Sequence, residues 1–178
     1  MTDSRFLYFA YGSNMSSRRL RAANRAPSAV AVTSASLAGY RLVFDKVSRD
    51  GSSKADCHHT GEPQDLVYGA LFSVSEVDTH PLDVAEGALG SKPGYRRAEV
   101  EVMTSAGLQR ARTYLAVEKR EGLLPYPWYV QHVLAGAMEF ALPSDYVERI
   151  ERQETMPDAD ANRSDAELAI YLRQLKYK

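Results

Sequence analysis

Arg5-Phe6-Leu7-Tyr8-Phe9-Ala10-Tyr11-Gly12-Ser13-Asn14 is the stretch on which the fold turns. Residues 6–11 form an unbroken apolar and aromatic run, too short to span a membrane and rich in strand formers. Burial on both faces is expected, hence a central strand. The run stops at Gly12-Ser13-Asn14, and helix-prone residues 16–23 follow. A strand that turns through glycine into a helix start presents backbone N–H groups at one point, which suits an anion or a developing oxyanion. Gly12 lacks the Cβ that would block close approach, and Ser13, Asn14 or Ser16 can cap the helix. An ordinary strand–turn–helix junction has the same form, so this stretch alone leaves both readings open.

The 178 residues suit one domain with a real core. Hydrophobic residues at 44% and charged residues at 25% are ordinary for a globular protein. A formal net charge of -1 argues against a broad nucleic-acid footprint. The clusters Arg18-Arg19-Arg21 and Arg96-Arg97 read as solvated surface. Cys57, the single cysteine, excludes an intrachain disulfide and suits a reducing compartment. No signal peptide is read at the N-terminus, and no run reaches membrane-spanning length. A cytoplasmic location without membrane partners is expected.

Outward from the first strand, residues 29–37 and 40–44 read as strands joined tightly at Gly39. Residues 49–64 are polar, with Gly51-Ser52-Ser53, Gly61 and Pro63, and predict a long mobile loop. Residues 66–74 return to strand composition, with Gly69 marking a bulge or a close backbone approach. Ser75-Glu76-Val77-Asp78 has the form of a capping box, and Pro81 suits the first turn of a helix ending at Gly87. Residues 95–104 alternate Ala98, Val100 and Val102 against Arg97, Glu99 and Glu101, and residues 108–117 answer across Ser105-Ala106-Gly107 as a hairpin. Residues 128–142 predict a helix with Tyr129 near its start, and residues 144–153 a shorter one. Residues 156–163 read as a linker, with Ser164-Asp165-Ala166-Glu167 capping a last helix. The organisation is a domain over 1–155, followed by linker and helix over 156–178. The class is α+β around a mixed, barrel-like sheet. Trp128, taken as an exposed aromatic, is compatible with a homodimer.

Leu82-Asp83-Val84-Ala85-Glu86-Gly87 is the second informative stretch. Asp83 and Glu86, three apart, share one side of a helix, and Glu86 stands just before a terminating glycine. Leu82, Ala85 and Leu89 suggest that this side faces the core. A carboxylate held against apolar surface keeps its proton more tightly, which is the tuning acid–base work needs. An exposed charge before a C-terminal glycine is the simpler reading of the segment taken alone.

Taken together, Phe9-Ala10-Tyr11-Gly12-Ser13-Asn14 and Leu82-Asp83-Val84-Ala85-Glu86-Gly87 resemble the γ-glutamylcyclotransferase family. The likeness continues through Gly94-Tyr95-Arg96-Arg97-Ala98-Glu99-Val100, Arg112-Thr113-Tyr114-Leu115, Pro127-Trp128-Tyr129 and Gly136-Ala137, over roughly residues 5–155. The resemblance implies a compact mixed β-barrel with peripheral helices. It also implies a small-molecule substrate whose γ-glutamyl group is cyclised onto its own α-amine, releasing 5-oxoproline. Glu86 would be the acid–base residue. Tyr8, Phe9, Ala10, Tyr11, Gly12, Ser13 and Asn14 would grip the γ-glutamyl moiety, with Tyr129 as a hydroxyl contact. A carboxylate can deprotonate the attacking amine and then protonate the departing amide nitrogen, while N–H groups near Gly12 and Ser13 receive the oxyanion. Both reacting groups belong to one molecule, which supplies proximity, and the scheme calls for no metal or cofactor.

Competing readings are specific. Cys57-His58-His59 with Glu62 lacks usual zinc spacing, and adjacent ligands do not readily converge on one ion. Cys57 with His58 as a nucleophilic pair has no orienting partner. His132 is read as surface or satisfied core. The same machinery could act on γ-glutamylamines or a γ-glutamyl-protected intermediate, although Ser13-Asn14 favours the amino-acid branch of the family. A non-catalytic binding module is the remaining class, and an intact Glu86 argues against it. Acceptor preference, action on glutathione and the role of the residue 57–59 segment are left open.

Overall fold

The computed structural model describes residues 4–172. Strand β1 (Arg5–Ala10) leads through a 3₁₀ turn (Ser13–Met15) into the one-turn helix α1 (Ser17–Leu20). Strands β2 (Val30–Ala38), β3 (Tyr40–Val47), β4 (Ser53–His59) and β5 (Leu66–Ser75) follow, then helix α2 (Thr79–Glu86). The hairpin β6 (Tyr95–Thr104) and β7 (Gly107–Ala116) precedes helices α3 (Pro127–Glu139), α4 (Ser144–Glu151) and α5 (Ala161–Leu172).

Five strands close a barrel in the order β1-β5-β2-β6-β7, and β3-β4 form a separate two-stranded sheet. β1 pairs antiparallel with β5, from Arg5 opposite Ser75 to Ala10 opposite Ala70. The barrel closes through a parallel bridge, Tyr8 opposite Arg112. The period-2 pattern of β6 puts Val100 and Val102 inside, beside Phe9, Leu71, Phe72 and Val74, while Glu99 and Glu101 stay outside. The fold is therefore the α+β barrel with peripheral helices that the sequence predicts.

Several local readings need correction. Residues 49–64 are not a loop: β4 lies among them, paired with β3 from Tyr40–His59 to Val47–Ser53. Its inner face carries small residues, Ala55 and Cys57, and both are buried, as is Asp56 on the opposite face. Polar composition hid a strand whose cohesion lies in its ladder. The first helix spans four residues, not 16–23, and neither it nor the preceding turn has a side-chain cap. β1 is buried on both faces only over Tyr8, Phe9 and Ala10. Gly69 marks a close approach: a Cβ there would lie 2.4 Å from the Ala10 carbonyl oxygen, whereas the irregularity of the adjoining strand falls between Ala31 and Thr33. α5 begins at Ala161, where Asp160 rather than Ser164 accepts from a first-turn amide, Arg163 N–H at 3.2 Å. Trp128 is 3% exposed. Its ring lies under the Lys54 ammonium and its Nε1 donates to Asp158 at 2.7 Å, so it offers no free aromatic face. No helix among the described residues is long and apolar enough to cross a membrane.

Candidate active site

The end of β1, the turn after it, the start of α3 and the last turn of α2 meet at one cleft. Tyr8, Tyr11, Gly12, Ser13, Asn14, Ala55, Glu86, Tyr95, Tyr114 and Tyr129 line it, around a free volume of about 30 Å³. Two close approaches build this corner. Gly136 in α3 lets the Ser13–Met15 turn lie on the helix, since a Cβ there would stand 2.3 Å from the Met15 Cβ. Gly12 faces Tyr129: an added Cβ would meet its hydroxyl at 3.1 Å and the Ala55 Cβ at 3.2 Å. Gly12 has negative φ, so glycine is used here for room and not for a left-handed backbone.

Glu86 is the last residue of α2, which Gly87 ends in the left-handed conformation, φ 62°. Its side chain is 15% exposed and turns toward the β1 corner. Oε1 accepts from Asn14 Nδ2 at 2.7 Å and from Arg25 Nη1 at 3.3 Å. Arg25 Nη1 also reaches Asn14 Oδ1 at 3.1 Å, and Asn14 Nδ2 reaches the Tyr8 hydroxyl at 3.2 Å. Oε2 has no hydrogen-bond partner among the described residues, so one carboxylate oxygen is anchored and the other is free of protein contacts. Burial lowers the proton affinity of the Arg25 guanidinium, and the charge of Arg19 acts the same way, while Glu86 opposes both.

The hydroxyls fall into two groups. Tyr11, Tyr95 and Tyr114 donate to the Tyr114 carbonyl, the Ala55 carbonyl and Asp83 Oδ1, and so frame the cleft. Tyr8 accepts from Asn14 Nδ2, which leaves its O–H proton for a ligand, whereas Tyr129 accepts from Ala55 N–H at 3.0 Å and also shares a hydrogen bond with the Ser13 side chain. Burial raises the proton affinity of Tyr8 and Tyr129, and the Glu86 charge reinforces it, so both stay neutral donors. The backbone N–H groups of Gly12 and Ser13 make no hydrogen bond among the described residues. An oxygen carrying negative charge would meet donors on this side and a carboxylate on the other.

Of the residues named from sequence, Tyr8, Tyr11, Gly12, Ser13, Asn14, Glu86 and Tyr129 line one cleft. Phe9 and Ala10 do not line it: both are buried in the strand, and Phe9 contributes its carbonyl to Thr113 Oγ1. The expected apolar wall behind Glu86 is absent, because its carboxylate meets Asn14 and Arg25. Leu89 lies 46% exposed, outside the core. Asp83 serves as acceptor for Tyr114, and Arg97 lies 3.5 Å away. Arg25, Tyr95, Tyr114 and Ala55 went unassigned in the sequence reading; the tyrosines stand inside quoted strand segments, whereas nothing around Arg25 marks it.

Cys57 and His58 fall on opposite sides of β4, one buried and one exposed, so they do not form a nucleophile–base pair. Burial, helped by the Asp56 charge, holds the Cys57 thiol protonated. Asp45, Asp56 and His58 bring potential ligand atoms within 4.8 Å of one another, but Asp56 already binds Lys119 and the Ala116 N–H. His132, fully buried, contacts Tyr171 and Glu167, the satisfied core position the sequence allows.

A sequence profile of the AIG2-like family matches residues 66–150. The mouse protein named gamma-glutamylcyclotransferase is 33% identical over 153 residues, covering 82% of this chain and 77% of that one. The human protein of the same name is 31% identical over 155 residues, covering 83% and 78%. A solved structure named gamma-glutamyl cyclotransferase superposes with a TM-score of 0.80 at 29% identity, over 95% of this chain and 99% of that one. With this likeness spread along most of both chains, the protein belongs to the γ-glutamylcyclotransferase family.

Proposed function

We propose that this chain converts γ-glutamyl amino acids or peptides to 5-oxoproline and the free amino acid or peptide, with Glu86 as the acid–base residue. Glu86 and the Gly12–Asn14 turn share one cleft, with Glu86 Oε1 2.7 Å from Asn14 Nδ2, and that observation carries the reading. The substrate's α-ammonium must lose a proton before it attacks, and Glu86 Oε2 is free to take it. The amine nitrogen then bonds to the γ-carbonyl carbon. The developing oxyanion accepts hydrogen bonds from the Gly12 and Ser13 N–H groups and from the Tyr129 hydroxyl. Collapse breaks the amide C–N bond as Glu86 returns its proton to the leaving nitrogen, and the second proton of the ring nitrogen passes by way of Glu86 to the released amine, which departs as an ammonium. One carboxylate thus serves both directions, and Arg25 and Asn14 keep it aimed. Because the cleft as it stands holds about 30 Å³, roughly one water's worth of space, its side chains part to admit the glutamyl chain.

The test is direct. The protein is incubated with a panel of γ-glutamyl dipeptides and a γ-glutamylamine, and 5-oxoproline is measured. Product is expected from the dipeptides. Glu86→Gln keeps the fold and substrate binding, and turnover falls by roughly 10²–10⁴-fold. Near wild-type turnover in that variant removes Glu86 from the mechanism, and absence of product from every compound favours a binding module or a more specialised deprotecting enzyme.

A further inference from the structure

Glu86 is a shared wall. On its other side lies a second cleft of about 340 Å³, lined among others by Lys46, Arg49, Glu86, Lys92, Gly94 and Glu118. Three cations face two carboxylates across it. Lys46 is the organised member. Its ammonium sits 4.7 Å from the centre of the Tyr95 ring, whose hydroxyl is tied to the Ala55 carbonyl at 2.6 Å. The glycine at position 94 makes room for it, since a Cβ there would stand 2.9 Å from both Cε and Nζ of Lys46. Yet Lys46 makes no hydrogen bond or ion pair among the described residues. Two of its neighbouring acids are otherwise engaged: Asp50 holds Lys54 at 2.7 Å, and Glu86 holds Asn14 and Arg25. Glu118 lines the same cleft from the strand β7 side. Partial burial lowers the proton affinity of Lys46, and the charges of Glu86, Asp50 and Glu118 oppose this from a distance, which leaves a cation with incomplete solvation and no carboxylate in direct contact.

We propose that this outer cleft is the acceptor-side subsite, and that Lys46, assisted by Arg49 and Lys92, binds the carboxylate of the leaving amino acid or peptide. This rests on the cyclotransferase reading above. The scissile amide then straddles Glu86, with the γ-glutamyl end in the tyrosine cleft and the leaving end against Lys46. The Glu86 oxygen without a protein partner is thereby next to the nitrogen that departs. A γ-glutamylamine without an acidic group leaves Lys46 unanswered; a γ-glutamyl amino acid pairs it.

The experiment compares γ-glutamylalanine with γ-glutamylalaninamide, which differ in one charge, by kcat/KM for 5-oxoproline release. The wild type favours the acid by about tenfold, the scale of one charge-assisted contact. Lys46→Met brings the acid-to-amide ratio toward one through KM for the acid, and Lys46→Arg restores most of the preference. A ratio near one in the wild type, or an unchanged ratio in Lys46→Met, overturns the subsite while 5-oxoproline formation still upholds the cyclotransferase reading. Absence of 5-oxoproline from both compounds overturns that reading, and the subsite with it.

Discussion

At the scale of single residues, the candidate site is a carboxylate with one oxygen anchored and one free. Asn14 and Arg25 both reach Glu86 Oε1, so each constrains the aim of Oε2. Arg25 is a positioning residue on this reading, since its contacts are to Asn14 and Glu86. Arg25→Gln is expected to lower kcat about tenfold or more with little change in KM, and Arg25→Lys to recover part of it; a variant that loses KM alone would assign Arg25 to substrate binding instead. Gly12→Val acts differently. Even a Cβ would press on the Tyr129 hydroxyl at 3.1 Å, and two further methyl groups occupy the mouth of a cleft that is already small. KM for any γ-glutamyl dipeptide should rise at least tenfold, and unchanged Michaelis behaviour would displace the pocket from this bend. Glu86 and Gly12 were singled out in sequence by local patterns, a glutamate before a helix-ending glycine and a glycine closing an aromatic strand, but each pattern alone also fits an ordinary turn, and only the family resemblance gave them roles. Arg25 stands in an irregular segment without periodicity, and only tertiary contact gives it a role.

At the scale of elements, the site depends on how closely backbones approach. α3 carries Tyr129 at one end and Gly136 two turns on, and the second position holds the Ser13–Met15 turn in place. In an exposed helix, Gly→Ala stabilises by up to about 1 kcal/mol. At position 136 the sign reverses, because the Cβ would meet the Met15 Cβ at 2.3 Å, the Met15 carbonyl carbon at 2.5 Å and the Ser16 nitrogen at 2.6 Å. Backbone atoms cannot rotate aside, so Gly136→Ala is expected to destabilise by about 1–3 kcal/mol in chemical denaturation and to depress activity as the turn shifts. A stabilised, fully active variant would refute this account of the packing. The hairpin of β6 and β7 was legible because alternation and turn chemistry agree over ten residue pairs. β4 was not, since its inner face is Ala55 and Cys57 and its charged residues read as loop; the ladder to β3 is a long-range fact that composition does not carry.

At the scale of the whole molecule, α5 latches the turn of the site to the last described part of the chain. Glu167 lies 3.1 Å from His132 Nε2 and accepts from Arg19, Tyr171 donates to Ser16 Oγ at 3.0 Å, and Arg18 reaches the Ile170 carbonyl at 3.1 Å. Residues 173–178, part of the segment assigned from sequence to the C-terminal helix, lie outside the described residues. The latch is built from titratable groups, so it responds to pH. Burial favours the protonated Glu167 carboxyl, but His132 and Arg19 outweigh it and bring its pKa down to about 2. A carboxylate depressed in the folded state contributes stability above its unfolded value, near 4.3, and loses it as pH falls toward 2. Burial lowers the proton affinity of His132 too, with the Arg19 charge assisting and Glu167 opposing. The unfolded state then takes up a proton near pH 6.5 that the folded state refuses, so this contribution is also lost on acidification. Both titrations therefore run the same way. Amide exchange in α5, corrected for the intrinsic rate, should accelerate between pH 7 and pH 3 by up to about twentyfold through Glu167, the part of its displacement realised one unit above the folded value. Solvent screening at a side chain 29% exposed reduces that figure. Glu167→Gln should show fast exchange already at pH 7 and a flatter pH response, and a variant with the parent's full acid sensitivity would move the latch away from Glu167.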